Sequence, residues 1–409
     1  MAISRITIHK ILTDKVLLLS YLFLIMALFG IVEMVYDRYF LVSANAFDAG
    51  LHPGNREIAN AMYEAVFGSG GEVKREAPWS LYIVNYMYMI YVGSGIIFVV
   101  AIAELLDYEI IKKYAFGYLT LGLSMLLAGL FTILMDLNIL NIKWMFLRPQ
   151  FDSGMWLMLP LYVIYIPLVL FEMYLILSHD KVWIKKVSLI VLLSALGVEF
   201  FGFYVQSKLF DMNSARHLWT TYPLLPLYFM LSSMVASLAI MSLYTSLAHK
   251  SVLVMHVLEK YTLYFVMALG AYEAVSYLFI DKKWAEIILF GDFKYYFYLY
   301  IILTVAIPFA MLFQPYLNKI FKYIAYVSII IGSYLGKMIF VYGGNAYPMS
   351  DRFGVGFEKY ALYDEFKSVI FFMPPMSELL IVIGSIGVVL FIFRFITLSV
   401  CDIENNSKD

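Results

Sequence analysis

Long apolar stretches separated by short polar segments dominate the pattern of this chain. About 20 consecutive apolar residues are needed for a helix to cross the roughly 30 Å hydrocarbon core of a membrane. The pattern predicts a spanning helix in each of ten stretches: 16–36, 80–105, 115–137, 155–178, 184–206, 219–247, 255–280, 295–315, 317–341 and 376–399. The apolar part of the first stretch, Val16 to Val32, is longer than the core of a signal peptide, about 7–15 residues. We therefore interpret it as a spanning helix too.

Composition agrees with this pattern. Of the 409 residues, 63% are hydrophobic and only 14% are charged, whereas a soluble domain has about 45–50% apolar and about 25% charged residues. The predicted fold class is therefore an all-α polytopic membrane protein with about ten transmembrane helices in a single integral membrane domain. The net charge of −1 gives no indication of a nucleic-acid partner.

Lysine and arginine in the short connections predict the orientation, because cytoplasmic loops are enriched in both. With ten spans the two termini share one side. That side carries the larger set of basic residues: Arg5, Lys10, Lys15, Lys112, Lys113, Lys181, Lys185, Lys186, Lys250, Lys319, Lys322 and Arg394. This predicts cytoplasmic termini and places two long connections, 37–78 and 342–375, outside, where long loops commonly bind partners.

Ionisable residues within the predicted spans are candidates for function, because a charge inside a membrane is costly. They are Glu33, Glu104, Asp136, Glu172, Glu199, Glu273, Lys337 and Glu378. Five of them fall in the outer half of the membrane: Asp136, Glu199, Glu273, Lys337 and Glu378. This clustering favours an outer functional pocket, and the alternative is interface solvation or internal ion pairs.

The cysteine and histidine content argues against a redox centre within this chain. Cys401 is the single cysteine, which excludes a cysteine-ligated iron–sulfur cluster. All six histidines lie in termini, loops or helix ends, whereas a membrane cytochrome needs imidazole pairs in mid-helix. We therefore predict that the chain holds neither haem nor an iron–sulfur cluster.

The second predicted helix has a dense polar stripe. Tyr82, Asn85, Tyr86, Met89 and Gly93 recur at helical spacing on one face. An asparagine among tyrosines is able to hydrogen-bond a ring carbonyl of a ligand, or to hydrogen-bond a neighbouring helix. The sequence leaves both readings open.

Several segments resemble the polysulfide reductase membrane-subunit (NrfD-like) family, and in particular its ten-helix branch. The similarity spans about 77–399. It rests on Ala77-Pro-Trp-Ser-Leu-Tyr82 with Gly93-Ser-Gly95, Met135-Asp-Leu137, Leu147-Arg-Pro149, Ser153-Gly-Met-Trp156, Leu218-Trp-Thr-Thr-Tyr-Pro-Leu-Leu-Pro-Leu-Tyr-Phe-Met-Leu-Ser232, and Lys337 with Phe372-Met-Pro-Pro-Met-Ser-Glu378. The chain departs from the pattern in Asn138 after Asp-Leu, in Leu157 where the branch often has Glu, and in Tyr204 where it has His.

This resemblance implies a quinone-binding subunit, using menaquinone or a related quinone, in a prokaryotic cell membrane. Its partners would be a ferredoxin-like iron–sulfur subunit on the outer face and a catalytic subunit, often containing molybdopterin. It further implies two four-helix bundles, 80–206 with the quinone site and 219–341, flanked by the first helix (16–36) and the last (376–399).

The predicted quinone pocket lies near the outer surface among helices two to five. Its residues share outer helix ends in the predicted topology: Trp79, Tyr82, Asn85, Tyr86, Asp136 and Arg148. Asp136 and Tyr204 are predicted to exchange protons with the ring oxygens, with Arg148 as an electrostatic neighbour. Glu199, Glu172 and Glu104 lie at successively deeper levels, which predicts a proton pathway. Alternatively, each of these acids hydrogen-bonds one neighbouring helix.

Two other functions compete with a quinone-linked oxidoreductase subunit. A secondary transporter uses buried acids and interrupted helices, and Pro160 and Pro167 in the fourth stretch fit that reading. A passive membrane anchor would need none of these polar residues for turnover.

Overall fold

The structure, a computed structural model, describes residues 13–36, 79–136, 146–147, 149, 151, 153–178, 182–212, 217–249, 251–280, 282–314, 318–345 and 374–406. Within these ranges the chain is helical and contains no strand. Ten helices are long and apolar enough to cross a membrane. They are α1 (Lys15–Val35), α2 (Leu81–Leu105), α3 (Ala115–Asp136), α4 (Gly154–Leu177), α5 (Val182–Asp211), α6 (Leu225–Ala248), α7 (Val252–Ser276), α8 (Lys294–Leu312), α9 (Lys319–Asn345) and α10 (Met376–Asn406). The predicted all-α polytopic membrane fold is confirmed.

The predicted stretches and the observed helices differ mainly at their ends. Helix α5 extends to Asp211 and α9 to Asn345, where the apolar pattern ends earlier because polar residues follow it. Among the described residues, the short helices Glu109–Lys112, His217–Thr221 and Lys282–Leu289 lie in connections. The long connection 37–78 lies outside the described residues, as do 346–373 of the second one.

The helices pack in two sets of four. In the first set α2 contacts α3, α3 contacts α4, α4 contacts α5 and α5 contacts α2. In the second set α6, α7, α8 and α9 contact one another in the same cyclic way. The two sets meet where α2 packs against α6 and α9 and where α5 packs against α6, and the pair α1–α10 lies against α3 and α2.

Close helix packing explains why α2 lies at the centre of the molecule. A Cβ atom at Gly93 would lie 2.6 Å from the carbonyl oxygen of Gly122 on α3, so these glycines let the two backbones approach closely. On the α6 side, Ser237 donates a hydrogen bond of 2.8 Å to the carbonyl oxygen of Val92, and Ser233 donates one to that of Tyr91. Helix α2 is consequently buried on nearly all sides.

The molecule has two ends, for which we use fixed names. The termini end contains the start of α1 and the end of α10, and the long-loop end contains the end of α1 and the start of α2. Even-numbered helices therefore run from the long-loop end toward the termini end, and odd-numbered helices run the opposite way.

Candidate functional site

The polar stripe of α2 does not line one pocket. The Tyr82 hydroxyl contacts Met34 Sδ of α1 at 3.7 Å, and the Asn85 amide donates to Ser385 Oγ of α10 at 3.0 Å. Farther along the stripe, Gly93 packs on α3. Asn85 thus hydrogen-bonds a neighbouring helix, which is one of the two possibilities that the sequence left open. This face of α2 is a packing surface against α1, α3 and α10.

Trp79 joins an aromatic group at the long-loop end. Its ring stacks on Trp219 at 4.9 Å between centroids and meets the edge of Phe210 at 4.8 Å. The Trp219 indole donates a 2.9 Å hydrogen bond to the carbonyl oxygen of Phe340. Trp79 therefore ties the start of α2 to α5 and α9, on a different side from Tyr82 and Asn85.

The structure describes two of the three residues predicted to serve the quinone oxygens. Asp136 is the last residue of α3 and is half-buried, and Arg148 lies outside the described residues. Tyr204 is 50% exposed, and its ring centroid lies 5.9 Å from the Lys208 ammonium. Because Tyr204 lies on the outer surface of α5, the structure gives no support to its predicted role.

Tyr86 alone of the stripe turns toward α4 and α5. Its hydroxyl lies 3.0 Å from the Tyr162 hydroxyl, and the Gln206 amide donates to that same Tyr162 oxygen at 3.0 Å. The Gln206 side-chain carbonyl is buried and accepts no hydrogen bond within the described part of the chain. The network therefore retains an open acceptor, which is costly in an apolar interior.

A cavity of about 10 Å³ lies next to this network, on its side toward the termini end. That volume is enough for one water molecule. Its walls come from α2, α4 and α5: Tyr91, Ser94, Leu161, Tyr162, Tyr165, Val198, Glu199, Gly202, Phe203 and Gln206. The hydroxyls of Tyr91 and Tyr165 and Oε1 of Glu199 are buried and have no hydrogen-bond partner among the described residues. A water here would have several polar groups to bridge.

Glu172 continues this line toward the termini end. It is 1% exposed, and neither carboxyl oxygen has a hydrogen-bond partner within the described ranges. It lies ten residues beyond Tyr162 on α4, about 15 Å along the helix. Glu104, near the end of α2, is partly exposed at the termini end. We call the group Tyr86, Tyr162, Gln206, Tyr165, Glu199, Glu172 and Glu104 the polar column.

Sequence reasoning found the acids of the polar column but missed Tyr162, Tyr165 and Gln206. The spacing of Tyr165 and Gln206 from the acids could have indicated that they share a helix face with them. Glu199 and Gln206 are seven residues apart on α5, and Tyr165 and Glu172 are seven apart on α4, so each pair shares one helix face.

A second cluster lies between α7, α8 and the turn before α6. Glu273 is 2% exposed and accepts hydrogen bonds from the hydroxyls of Tyr300 at 2.8 Å and Tyr222 at 3.0 Å. A cavity of about 10 Å³ adjoins these three residues. We call Glu273, Tyr222 and Tyr300 the Glu273 cluster.

A third group, which the sequence reasoning missed, lies near the termini end. Glu259 of α7 accepts hydrogen bonds from Lys322 Nζ at 2.7 Å and from the Tyr326 hydroxyl at 2.8 Å, both on α9. An open cavity of about 290 Å³ adjoins this ion pair. Glu259 was detectable as an acid within an apolar run.

Glu378 was predicted to be functional or interfacial, and it has a structural contact. Its carboxylate accepts hydrogen bonds from the Tyr82 backbone N–H at 2.9 Å and from the Ser80 hydroxyl. These donors lie at the first turn of α2, where backbone N–H groups lack partners within the helix. Glu378 therefore fastens α10 to the start of α2.

Comparison with other proteins adds no family assignment. No family model matches the chain, and no curated protein shows significant similarity to it.

Proposed function

We propose that this membrane protein is the quinone-interacting integral subunit of a respiratory oxidoreductase, and that the polar column carries protons. The observation that supports this most directly is the column itself. Both carboxyl oxygens of Glu172 and Oε1 of Glu199 are buried without a hydrogen-bond partner among the described residues, and they follow the Tyr86–Tyr162–Gln206 network along the helices. Ionisable groups in such surroundings are energetically costly, and a function is the usual reason that a protein retains them. The resemblance to the NrfD-like family supports the quinone part of the proposal.

The chemistry of the network suits a quinone, although the volume of the cavity does not. Reduction of a quinone by two electrons takes up two protons, so donors must stand near its oxygens. Tyr162 and Gln206 offer a hydroxyl and an amide, but the cavity beside them, about 10 Å³, holds a water and not a ring. In our proposal the ring approaches from the long-loop end, and no part of it enters the cavity.

In this proposal, the residues of the polar column pass protons in sequence. Tyr86 and Tyr162 exchange protons through their shared hydrogen bond. Glu199 and Tyr165, on the cavity wall, pass a proton by way of a water. Glu172 and Glu104 continue the route to the termini end. The proposed partners are an iron–sulfur subunit and a catalytic subunit at the long-loop end, outside the cell, with the termini in the cytoplasm.

The first test is Tyr162→Phe in the assembled complex. Loss of this hydroxyl breaks both hydrogen bonds of the network. We expect quinone-linked turnover to fall at least about tenfold, which corresponds to about 1.4 kcal/mol in the barrier. Tyr88→Phe is the matched control, because Tyr88 is a buried tyrosine of α2 whose hydroxyl bonds the carbonyl oxygen of Ile330 instead. Equal turnover in the two variants and the wild type would refute the proposed site.

The second test is Glu172→Gln in sealed vesicles. We expect quinone turnover to continue while fewer protons cross the membrane per turnover, because the amide cannot carry a proton. Glu109→Gln serves as control, since the Glu109 side chain is 77% exposed. Unchanged proton movement in Glu172→Gln would remove this residue from the pathway.

A secondary transporter is the second candidate, and helix interruptions favour it. Pro160 and Pro167 lie inside α4, and Ile302–Ala306 of α8 form a π-helical turn just before Pro308. Such interruptions often accompany binding sites in membranes. Solute uptake driven by a pH gradient, without any redox substrate, would favour this function over the first. Normal quinone turnover in Tyr162→Phe would instead fit a passive anchor.

A further inference from the structure

Lys337 of α9 is a buried cation that the proposed proton pathway does not use. Its side chain is 2% exposed, and its ammonium donates a hydrogen bond of 2.5 Å to Ser232 Oγ of α6. The nitrogen lies 4.7 Å from the ring centroid of Tyr91, 4.5 Å from that of Tyr228 and 5.0 Å from that of Phe229. No carboxylate within the described residues forms an ion pair with it.

This surrounding stabilises the charged form only in part. Contact with aromatic rings stabilises an ammonium where water is excluded, and the serine oxygen accepts one of its three N–H groups. Burial without a carboxylate partner opposes the charged form. A buried lysine in such surroundings is suited to giving up and taking back a proton.

Lys337 also stands between the two polar sites. Tyr91, one of its three rings, belongs to the wall of the cavity that contains Glu199. Tyr228, another ring, belongs to the wall of the cavity beside Glu273. Gly336, the residue before the lysine, lines that second cavity too. The aromatic surround of Lys337 is therefore shared by both four-helix sets.

We propose that Lys337 transfers protons laterally between the polar column and the Glu273 cluster. In the forward step the ammonium gives a proton, through a water, to the ionised carboxylate of one site, which leaves a neutral amine and a carboxylic acid. In the return step the amine takes a proton from the acid of the other site and becomes an ammonium again. This inference rests on the proposed proton function of the polar column, and it joins the second helix set to that pathway.

The test compares Lys337→Arg with Lys337→Met in vesicles that contain the assembled complex. An arginine keeps the charge and its contacts with the rings but does not release its proton. If Lys337 serves only the packing or charge of the interface, Arg should restore function. If it transfers protons, both variants should lose it. Lys208→Met is the control, because Lys208 is an exposed lysine of α5.

Two measurements are made on the same vesicles: protons moved per quinone turnover, and proton flux driven by an imposed membrane potential. We expect both to fall measurably in Lys337→Arg and Lys337→Met, although the route through Glu172 and Glu104 remains, and to stay at the wild-type level in Lys208→Met. Wild-type values in Lys337→Arg would overturn the inference, and this variant decides the matter if Lys337→Met does not fold. If the wild type shows no quinone turnover, the proposed function fails. The potential-driven flux then still tests Lys337, and equal flux in wild type and Lys337→Arg overturns the transfer role.

Discussion

The contact between Asp14 and Arg394 gives a quantitative prediction about how α1 is held to α10. Asp14 is the N-cap of α1, and its Oδ1 accepts hydrogen bonds from the backbone N–H groups of Val16 at 3.0 Å and Leu17 at 3.1 Å. Its Oδ2 accepts from Arg394 Nη2 at 2.6 Å and Nε at 3.0 Å. One carboxylate thus caps one helix and pairs with another.

The two contributions can be separated by substitution. Removal of an N-cap costs about 1 kcal/mol. The ion pair is partly screened, because the side chain of Arg394 is 35% exposed and that of Asp14 is 14% exposed, so we assign it about 0.5–1 kcal/mol. We therefore expect Asp14→Ala to lower the free energy of unfolding by about 1.5–2 kcal/mol. Asp14→Asn keeps a good cap and should lose only about 0.5–1 kcal/mol.

The pH dependence follows from the same contacts. Hydrogen bonding to the Arg394 guanidinium holds the pKa of Asp14 below its usual value, burial opposes this in part, and the backbone donors add to the lowering. Because the folded-state pKa is depressed, this stabilisation is complete above the unfolded-state pKa of about 3.9 and is lost as pH falls through the folded-state value. Asp14→Ala should lack this acid-side loss.

The assay is reversible unfolding in mixed detergent micelles, with the wild type, both Asp14 variants, Arg394→Met and the Asp14→Ala/Arg394→Met double variant. The double-mutant cycle isolates the pair energy. If Asp14→Asn proves as destabilising as Asp14→Ala, the cap has no measurable effect and the reasoning is wrong. A coupling energy near zero would show that the ion pair contributes nothing measurable to stability.

Three further predictions concern other contacts. Gly344→Ala should cost about 1–3 kcal/mol by overpacking, because a Cβ there would overlap the indole ring of Trp219; tryptophan fluorescence should shift. Burial and a nearby lysine lower the pKa of His249. The free energy of unfolding should therefore fall as pH drops below about 6.5, the unfolded-state pKa. His249→Gln should remove this pH dependence. Lys322→Met should cost about 2–3 kcal/mol, because it leaves Glu259 buried without its cation.

Each of these predictions has a matched comparison. Gly197→Ala should leave the fluorescence unchanged, since a Cβ there has nothing within 4 Å among the described residues. For His249→Gln, the matched comparison is the wild type over the same pH range. Adding Glu259→Leu to Lys322→Met should recover most of the lost stability. A double variant as unstable as the single one would contradict the account of the ion pair.

Much of the fold could be predicted from sequence because the membrane imposes a simple rule. A helix that crosses it must be about 20 residues long and apolar, since its backbone groups find no water there. The ten helices follow from that rule, and acids such as Glu172 and Glu199 are visible within them as exceptions to it. The acids stand out against an apolar background, whatever their neighbours are.

The direction in which side chains point was decided by tertiary structure. Helix α2 is buried on nearly all sides, so its sequence has no exposed face to show which residues meet which helix. Tyr82 and Asn85 consequently packed against α1 and α10, and only Tyr86 reached α4. The stripe reports a helical period, but packing partners come from segments distant in sequence.

The same reason accounts for α5. Tyr204 and Gln206 are two residues apart, which places them about 200° apart around a helix. Both lie in one apolar run, and lipid and protein interior are equally apolar surroundings for that run. Hydropathy therefore could not tell that Tyr204 lies at the surface and Gln206 inside. The sequence determined the number of helices and the presence of buried acids, whereas the packing of α2, α4 and α5 around Tyr162 decided which polar groups meet.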